Sequence, residues 1–162
     1  MPYTPILATL AYVVRGDDVL MVHRTFRDSD AHLGKFNGLG GKLEPGEDVV
    51  AGVRRELREE AGIDATGVRL RGTLSWPGFG DGGEDWFAFV FVVDAFAGEP
   101  PAANEEGTLH WVPRASMLDL PLWEGDYTWL PLVFAASVGQ FHGVMPYSDG
   151  RPSGWSVTIL PR

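Results

Sequence analysis

Residues 41–63 read GKLEPGEDVVAGVRRELREEAGI. Near the end of this stretch stand Glu56, Glu59 and Glu60, at spacings that share one face of a helix. Like charges so placed repel and destabilise a bare helix. A hard cation, which takes oxygen ligands, would relieve that repulsion. Glu56 and Glu60, one turn apart, are suited to hold metal. Glu59 lies near the same face, where it could bind a second metal or accept a proton from water. The plain alternative is a solvated helix face, which is common where glutamates pair in sequence.

The cluster needs a helix, and apolar periodicity predicts one over residues 47–61. Val50, Val53 and Leu57 form its apolar stripe, and Gly62 fits a left-handed C-terminal cap. Gly52 inside it costs roughly 1 kcal/mol relative to alanine, which suggests tight packing. Before the helix, Gly38, Gly40 and Gly41 allow close backbone approach along residues 36–43. Residues 6–14 are almost wholly apolar and read as a strand buried on both faces, returning through residues 19–24. Residues 68–76, 86–96 and 108–112 read as further strands. Residues 28–35, 77–84 and 98–104 read as loops, and 114–118 as a helical turn. A second helix is expected over 127–138, with Pro131 in about its first turn, where a missing N–H is tolerated. Residues 141–147 and 155–160 should close as a hairpin. The class is α+β, a mixed sheet with helices on both faces.

The same stretch carries a family signature. Gly41, five residues, Glu47, seven residues, then Arg55-Glu56-Leu57-Arg58-Glu59-Glu60-Ala61-Gly62-Ile63 resembles the complete Nudix box. Seven fixed residue types would match by chance at about one starting position in 10^8, so the register outweighs the solvated-face alternative. The resemblance implies a Nudix-type α/β/α sandwich and Mg²⁺-dependent hydrolysis of a nucleoside diphosphate linked to another group, with Mn²⁺ as a substitute ion. It implies Glu56, Glu60 and the Gly40 carbonyl as metal ligands, and an acidic residue from a later loop, for which Glu106 is the better match beside Glu105. The general base stays open between Glu59, Glu60 and Glu106. Arg55 is expected to orient the glutamates through Glu47, and Lys42 to face the phosphates.

Two further segments resemble oxidised-purine nucleoside triphosphate diphosphatases of that family. They are Gly34-Lys35-Phe36-Asn37-Gly38-Leu39-Gly40-Gly41-Lys42, and residues 122–132, LWEGDYTWLPL, followed by Phe141-His142-Gly143. By that resemblance Asn37 and Asp126 read the purine edge and Trp123 stacks on the base. Asn offers donor and acceptor, Asp pairs with ring N–H groups, and an indole face packs on a purine. The mammalian enzymes carry two adjacent aspartates where this chain has Gly125-Asp126, a loss expected to alter the range of bases and admit ordinary purines. The 28–33 loop also differs in composition. His23, His32, His110 and His142 read as packing or surface residues, and the six tryptophans mostly as core.

At 162 residues the chain is expected to form one domain, 1–162. Its net charge of −9 argues against nucleic acid or an anionic membrane as partner. A polyphosphate substrate would then need a divalent ion to neutralise the site. There is no cysteine, so disulfides and thiolate zinc sites are excluded. The N-terminus lacks a basic region before an apolar core, and the longest apolar run, 86–93, is too short to span a bilayer. A cytoplasmic enzyme of nucleotide-pool sanitation, acting alongside DNA repair on a small-molecule nucleotide, is the resulting expectation. The oligomeric state is not legible. The competing readings are hydrolysis of a dinucleoside polyphosphate, ADP-ribose or a nucleotide sugar, and a non-catalytic nucleotide sensor. The sensor is disfavoured because no box glutamate is missing.

Overall fold

The computed structural model describes residues 1–26 and 32–162. The chain runs β1 (Ile6–Arg15), β2 (Asp18–Arg24), β3 (Phe36–Asn37), β4 (Leu39–Lys42), α1 (Val49–Ala61), β5 (Asp64–Trp76), β6 (Trp86–Ala97) and β7 (Gly107–Pro113). A 3₁₀ turn (Arg114–Asp119), α2 (Asp126–Phe134), β8 (Val138–Val144), β9 (Tyr147–Ser148), β10 (Arg151–Pro152) and β11 (Ser156–Pro161) follow.

The main sheet has the order β11-β8-β5-β6-β1-β2-β3, with β4 on β1 and β7 on β2. It is mixed. β1 runs parallel to β6, from Ile6 opposite Trp86 to Val13 opposite Val93, and β5 runs parallel to β8. Side chains alternate across a strand, so each face takes every second residue. Ala11, Val13, Phe91 and Val93 pack on one face with Val53, Leu57 and Ala61 of α1. Tyr12, Val90 and Val92 pack on the other with Trp129, Leu130 and Val133 of α2. This two-sided burial explains the unbroken apolar runs of β1 and β6, and the α/β/α sandwich is borne out.

The first helix begins two residues later than expected, because Asp48 caps it. The Asp48 carboxylate accepts from the Val50 amide at 2.9 Å and the Ala51 amide at 2.8 Å. Gly62 ends it in the left-handed conformation, φ 63°. Gly52 is explained by crowding, since a Cβ there would run into the Leu43 side chain and lie 3.2 Å from Glu47 Oε1.

The second helix departs from expectation. It spans Asp126–Phe134, not 127–138, and Pro131 is its sixth residue, past the first turn. Arg71, buried at 4% exposure, explains the early end. Its guanidinium donates to the carbonyls of Val133 at 2.8 Å, Val138 at 2.8 Å and Gly139 at 2.7 Å. These carbonyls find their donor in β5, so the chain can leave the helix and enter β8. The closing hairpin is formed by β8 and β11. Among the described residues no helix is long and apolar enough to cross a membrane. Residues 28–31 of the 28–35 loop lie outside the described residues.

Arg71→Met would leave those buried carbonyls without donors. A loss of about 3 kcal/mol or more in urea unfolding is expected. A loss below about 1 kcal/mol would mean that the guanidinium is dispensable.

Candidate active site

Strand β4 lies against α1 closely enough to demand glycine. A Cβ on Gly41 would sit 2.6 Å from Glu56 Oε1, and one on Gly40, at φ 149°, would overlap the Thr9 carbonyl. Arg55 reaches Glu47, Glu56 and Glu59 with one guanidinium. Its Nε and Nη2 donate to the Glu47 oxygens at 3.0 and 2.7 Å, a bidentate pair. Nη1 reaches Glu56 Oε1 at 2.9 Å and Glu59 Oε2 at 3.3 Å, and Nη2 reaches the Lys42 carbonyl at 3.1 Å. The guanidinium holds the Glu47 carboxyl down to about 2.

Glu60 is in the opposite situation. Burial, then the Glu106 charge, then hydrogen bonding to Glu56 push its carboxyl up to about 9. The Gly40 amide donates to Glu60 Oε2 at 3.4 Å, so the contact seen there is through the N–H of Gly40. Glu106 arrives on the loop before β7 and pairs with Arg24 at 3.3 Å. Asn104 sets that loop against α1. Its amide donates to the Glu60 carbonyl at 3.1 Å, while its Oδ1 accepts from the Glu106 amide at 2.9 Å. Sequence reasoning treated Asn104 only as part of a loop, although an Asx turn two residues ahead of a glutamate was a readable signal. Glu59 lies on the groove rim, 57% exposed.

Glu56, Glu59, Glu60, Glu105 and Glu106 thus border one acidic groove. Among the described residues no three acidic or histidine side chains form a closed cage, and Glu56 and Glu60 instead share a hydrogen bond. The donor set fits a divalent cation nonetheless. It is all oxygen, and a dication would offset the burial and the like-charge crowding that push the Glu60 carboxyl up. Glu56, Glu60 and Glu106 are the side chains that could hold one.

Next to the groove is a cavity of about 450 Å³, and Glu106 lines both. Asn37, Lys42, Trp123 and Asp126, scattered over ninety residues of sequence, all line this cavity. The Asn37 amide nitrogen is buried without a hydrogen-bond partner among the described residues. Burial pushes the Asp126 carboxyl up to about 7, against the pull of the Lys35 charge. The Trp123 indole N–H donates to His32 Nδ1 at 2.7 Å, and Lys35 Nζ sits 5.2 Å from its ring centroid.

His32, expected as a packing or surface residue, packs on Trp123 and lines the cavity. Most of the tryptophans are core residues as expected, since Trp129 is buried and Trp76, Trp111 and Trp155 pack against the two core clusters; what was not expected is that Trp76, Trp86, Trp123 and Trp129 also line this one cavity. Phe79 and Tyr147 were missed. Phe79 rises from the 77–84 loop to meet Trp123 at 5.8 Å and Tyr147 at 4.9 Å between ring centroids. An aromatic in a four-glycine loop was the one available hint.

Comparison with known proteins gives the following. The sequence model described as NUDIX domain matches residues 4–133. An uncharacterized Nudix hydrolase, YvcI, of Bacillus subtilis is 35% identical, covering 67% of this chain and 70% of that one. An oxidized purine nucleoside triphosphate hydrolase of Danio rerio is 30% identical, covering 81% of each chain. A MutT protein of Bacillus halodurans superposes with a TM-score of 0.80 at 28% identity, covering 94% of this chain and 97% of that one.

Asp126 also makes a testable contribution to stability. Its carboxyl titrates near 7 in the fold and near its ordinary 3.8 when unfolded. The native state therefore binds the proton more tightly, and stability falls as pH rises between about 4 and 7. Asp126→Asn stays neutral and should escape that loss. Its stability relative to wild type should rise by on the order of 2–4 kcal/mol from pH 4 to pH 8 in urea unfolding. A flat difference would place the carboxyl in a water-like environment.

Proposed function

This chain belongs to the Nudix hydrolase family, and from that premise we propose that it is a Mg²⁺-dependent pyrophosphohydrolase of purine nucleoside triphosphates. Oxidised forms such as 8-oxo-dGTP are included among its substrates, and the products are the monophosphate and pyrophosphate. The cellular role that follows is cytoplasmic sanitation of the nucleotide pool. One observation supports this reading above others: Glu106 borders both the acidic groove and the aromatic cavity, so a base in the cavity leaves its phosphates at the groove.

Each residue then has a chemical task. In the cavity Trp123 offers its indole face to the base, held in place by His32. Asn37 presents a buried amide with unused hydrogen-bonding capacity, and Asp126 meets ring N–H groups. Lys42 lines the cavity with its Nζ 5.5 Å from the Trp86 ring centroid, and its charge suits the phosphates. In the groove Glu56, Glu60 and Glu106, with the Gly40 carbonyl, form the ligand set for divalent metal. A bound divalent ion neutralises phosphate charge and makes water more acidic. Glu59, Glu60 and Glu106 are the carboxylates positioned to take the proton of the attacking water. Arg55 holds Glu56 and Glu59 in register through its own lock on Glu47.

Glu60→Gln should lower kcat at least 100-fold at unchanged unfolding midpoint, because glutamine mimics the protonated carboxyl in shape and charge. Turnover within about tenfold of wild type would remove Glu60 from the ligand set. Chelation with EDTA should abolish turnover and added Mg²⁺ restore it. Pyrophosphate release should be detected with 8-oxo-dGTP and dGTP. Cleavage of a dinucleoside polyphosphate, ADP-ribose or a nucleotide sugar, with neither triphosphate attacked, would replace this reading.

A further inference from the structure

The space beside Gly125 is taken. A Cβ there would overlap the Met145 sulfur and lie 2.8 Å from the Tyr147 hydroxyl. The absence of a side chain at 125 is therefore no simple vacancy, because the phenol of Tyr147 occupies the place toward which that side chain would grow. Tyr147 and Asp126 both line the cavity that also holds Asn37 and Trp123.

Tyr147 is held firmly. Its amide donates to the Pro77 carbonyl at 2.8 Å, and its ring meets Phe79 edge to face at 4.9 Å. Its strand β9 pairs with β10, where Arg151 grips Glu124 with two hydrogen bonds of 3.0 and 2.9 Å. That clamp ties the hairpin to the residue just before Gly125. Burial and the charges of Asp126 and Glu124 keep the phenol protonated, so it can donate. Neither the Tyr147 hydroxyl nor the Asp126 carboxyl makes a side-chain hydrogen bond to another described residue.

We propose that Tyr147 is a specificity-determining residue that, together with Asp126, reads the lactam edge of an oxopurine. The phenol O–H donates to the ring carbonyl, and the Asp126 carboxylate accepts from the adjacent ring N–H. An adenine edge presents the reverse order, an amino donor beside a bare ring nitrogen, and does not match a donating phenol beside an ionised carboxylate. Buried polar groups left unpaired disfavour the wrong base more strongly than pairing favours the right one. The assignment rests on the purine triphosphate reading above and refines its base selectivity.

Tyr147→Phe removes the hydroxyl and keeps the ring that packs on Phe79. Steady-state kinetics with 8-oxo-dGTP, dGTP and dATP should show KM raised about tenfold for the lactam substrates, with kcat within about twofold and dATP unaffected. A rise for both guanine nucleotides assigns the hydroxyl to the six-position carbonyl, and a rise for 8-oxo-dGTP alone assigns it to the eight-position carbonyl. Either supports the proposal. Unchanged KM, or an equal change for all three nucleotides, overturns it. Calorimetric binding of 8-oxo-dGMP, dGMP and dAMP without metal separates this idea from the hydrolytic one. Weaker binding of the lactam monophosphates alone, in a protein whose wild type cleaves no triphosphate, upholds Tyr147 and rejects the hydrolytic reading. If wild type binds none of the three, both fall.

Discussion

Crowded negative charge on one helix face is the constraint around which this protein is built. Glu56, Glu59 and Glu60 on α1, with Glu106 brought from the loop before β7, would repel one another if left alone. The chain answers with three devices. Arg55 spreads one guanidinium over Glu47, Glu56 and Glu59. Burial and the Glu106 charge push the Glu60 carboxyl up, which favours its neutral form. Arg24 pairs with Glu106 from β2. Gly41 must be glycine because the Glu56 carboxylate stands where its side chain would be, so the charged face dictates the sequence of the neighbouring strand as well.

The aromatic cavity depends on this arrangement through its shared wall. β1 supplies Thr9, Leu10 and Tyr12 to the cavity and pairs directly with β4, which carries Gly40 and Gly41. A displacement of β4 would thus disturb the acidic groove and the cavity together. Asp126, the first residue of α2, faces the cavity, while Arg71 anchors the other end of that helix to β5 and β8. One end of α2 contributes to recognition, and the other end is bound into the sheet.

The box was readable because its meaning is local. A spacing of three and four on a helix puts carboxylates together whatever the rest of the fold does, and Gly62 caps that helix by its own backbone freedom. The two-faced burial of β1 and β6 was readable for a similar reason, since a strand that is apolar at every position must be covered on both sides. The end of α2 was not. It turns on Arg71, fifty-five residues before Asp126 in sequence, and nothing in the sequence of residues 126–138 announces that a distant guanidinium will take up the helix-terminal carbonyls. His32 and Tyr147 were missed for the same cause. A histidine or tyrosine carries no spacing rule, and each acquires its place only when the 32–35 turn and the β9–β10 hairpin fold against Trp123 and Gly125.

Sequence alone therefore determined which carboxylates of α1 share a helix face and which glycines allow the close approach of β4. It also pointed to Asn37, Trp123 and Asp126 as separate candidates for one base. Only the tertiary structure decided that they line the same cavity, that three more tryptophans join them, and that the space beside Gly125 is filled by Met145 and by a phenol from β9. The physical reason is range. Helical spacing acts over a few residues, whereas the shape and hydrogen-bonding character of the cavity arise where β1, the 77–84 loop, α2 and the β9–β10 hairpin meet, and no one of them carries it.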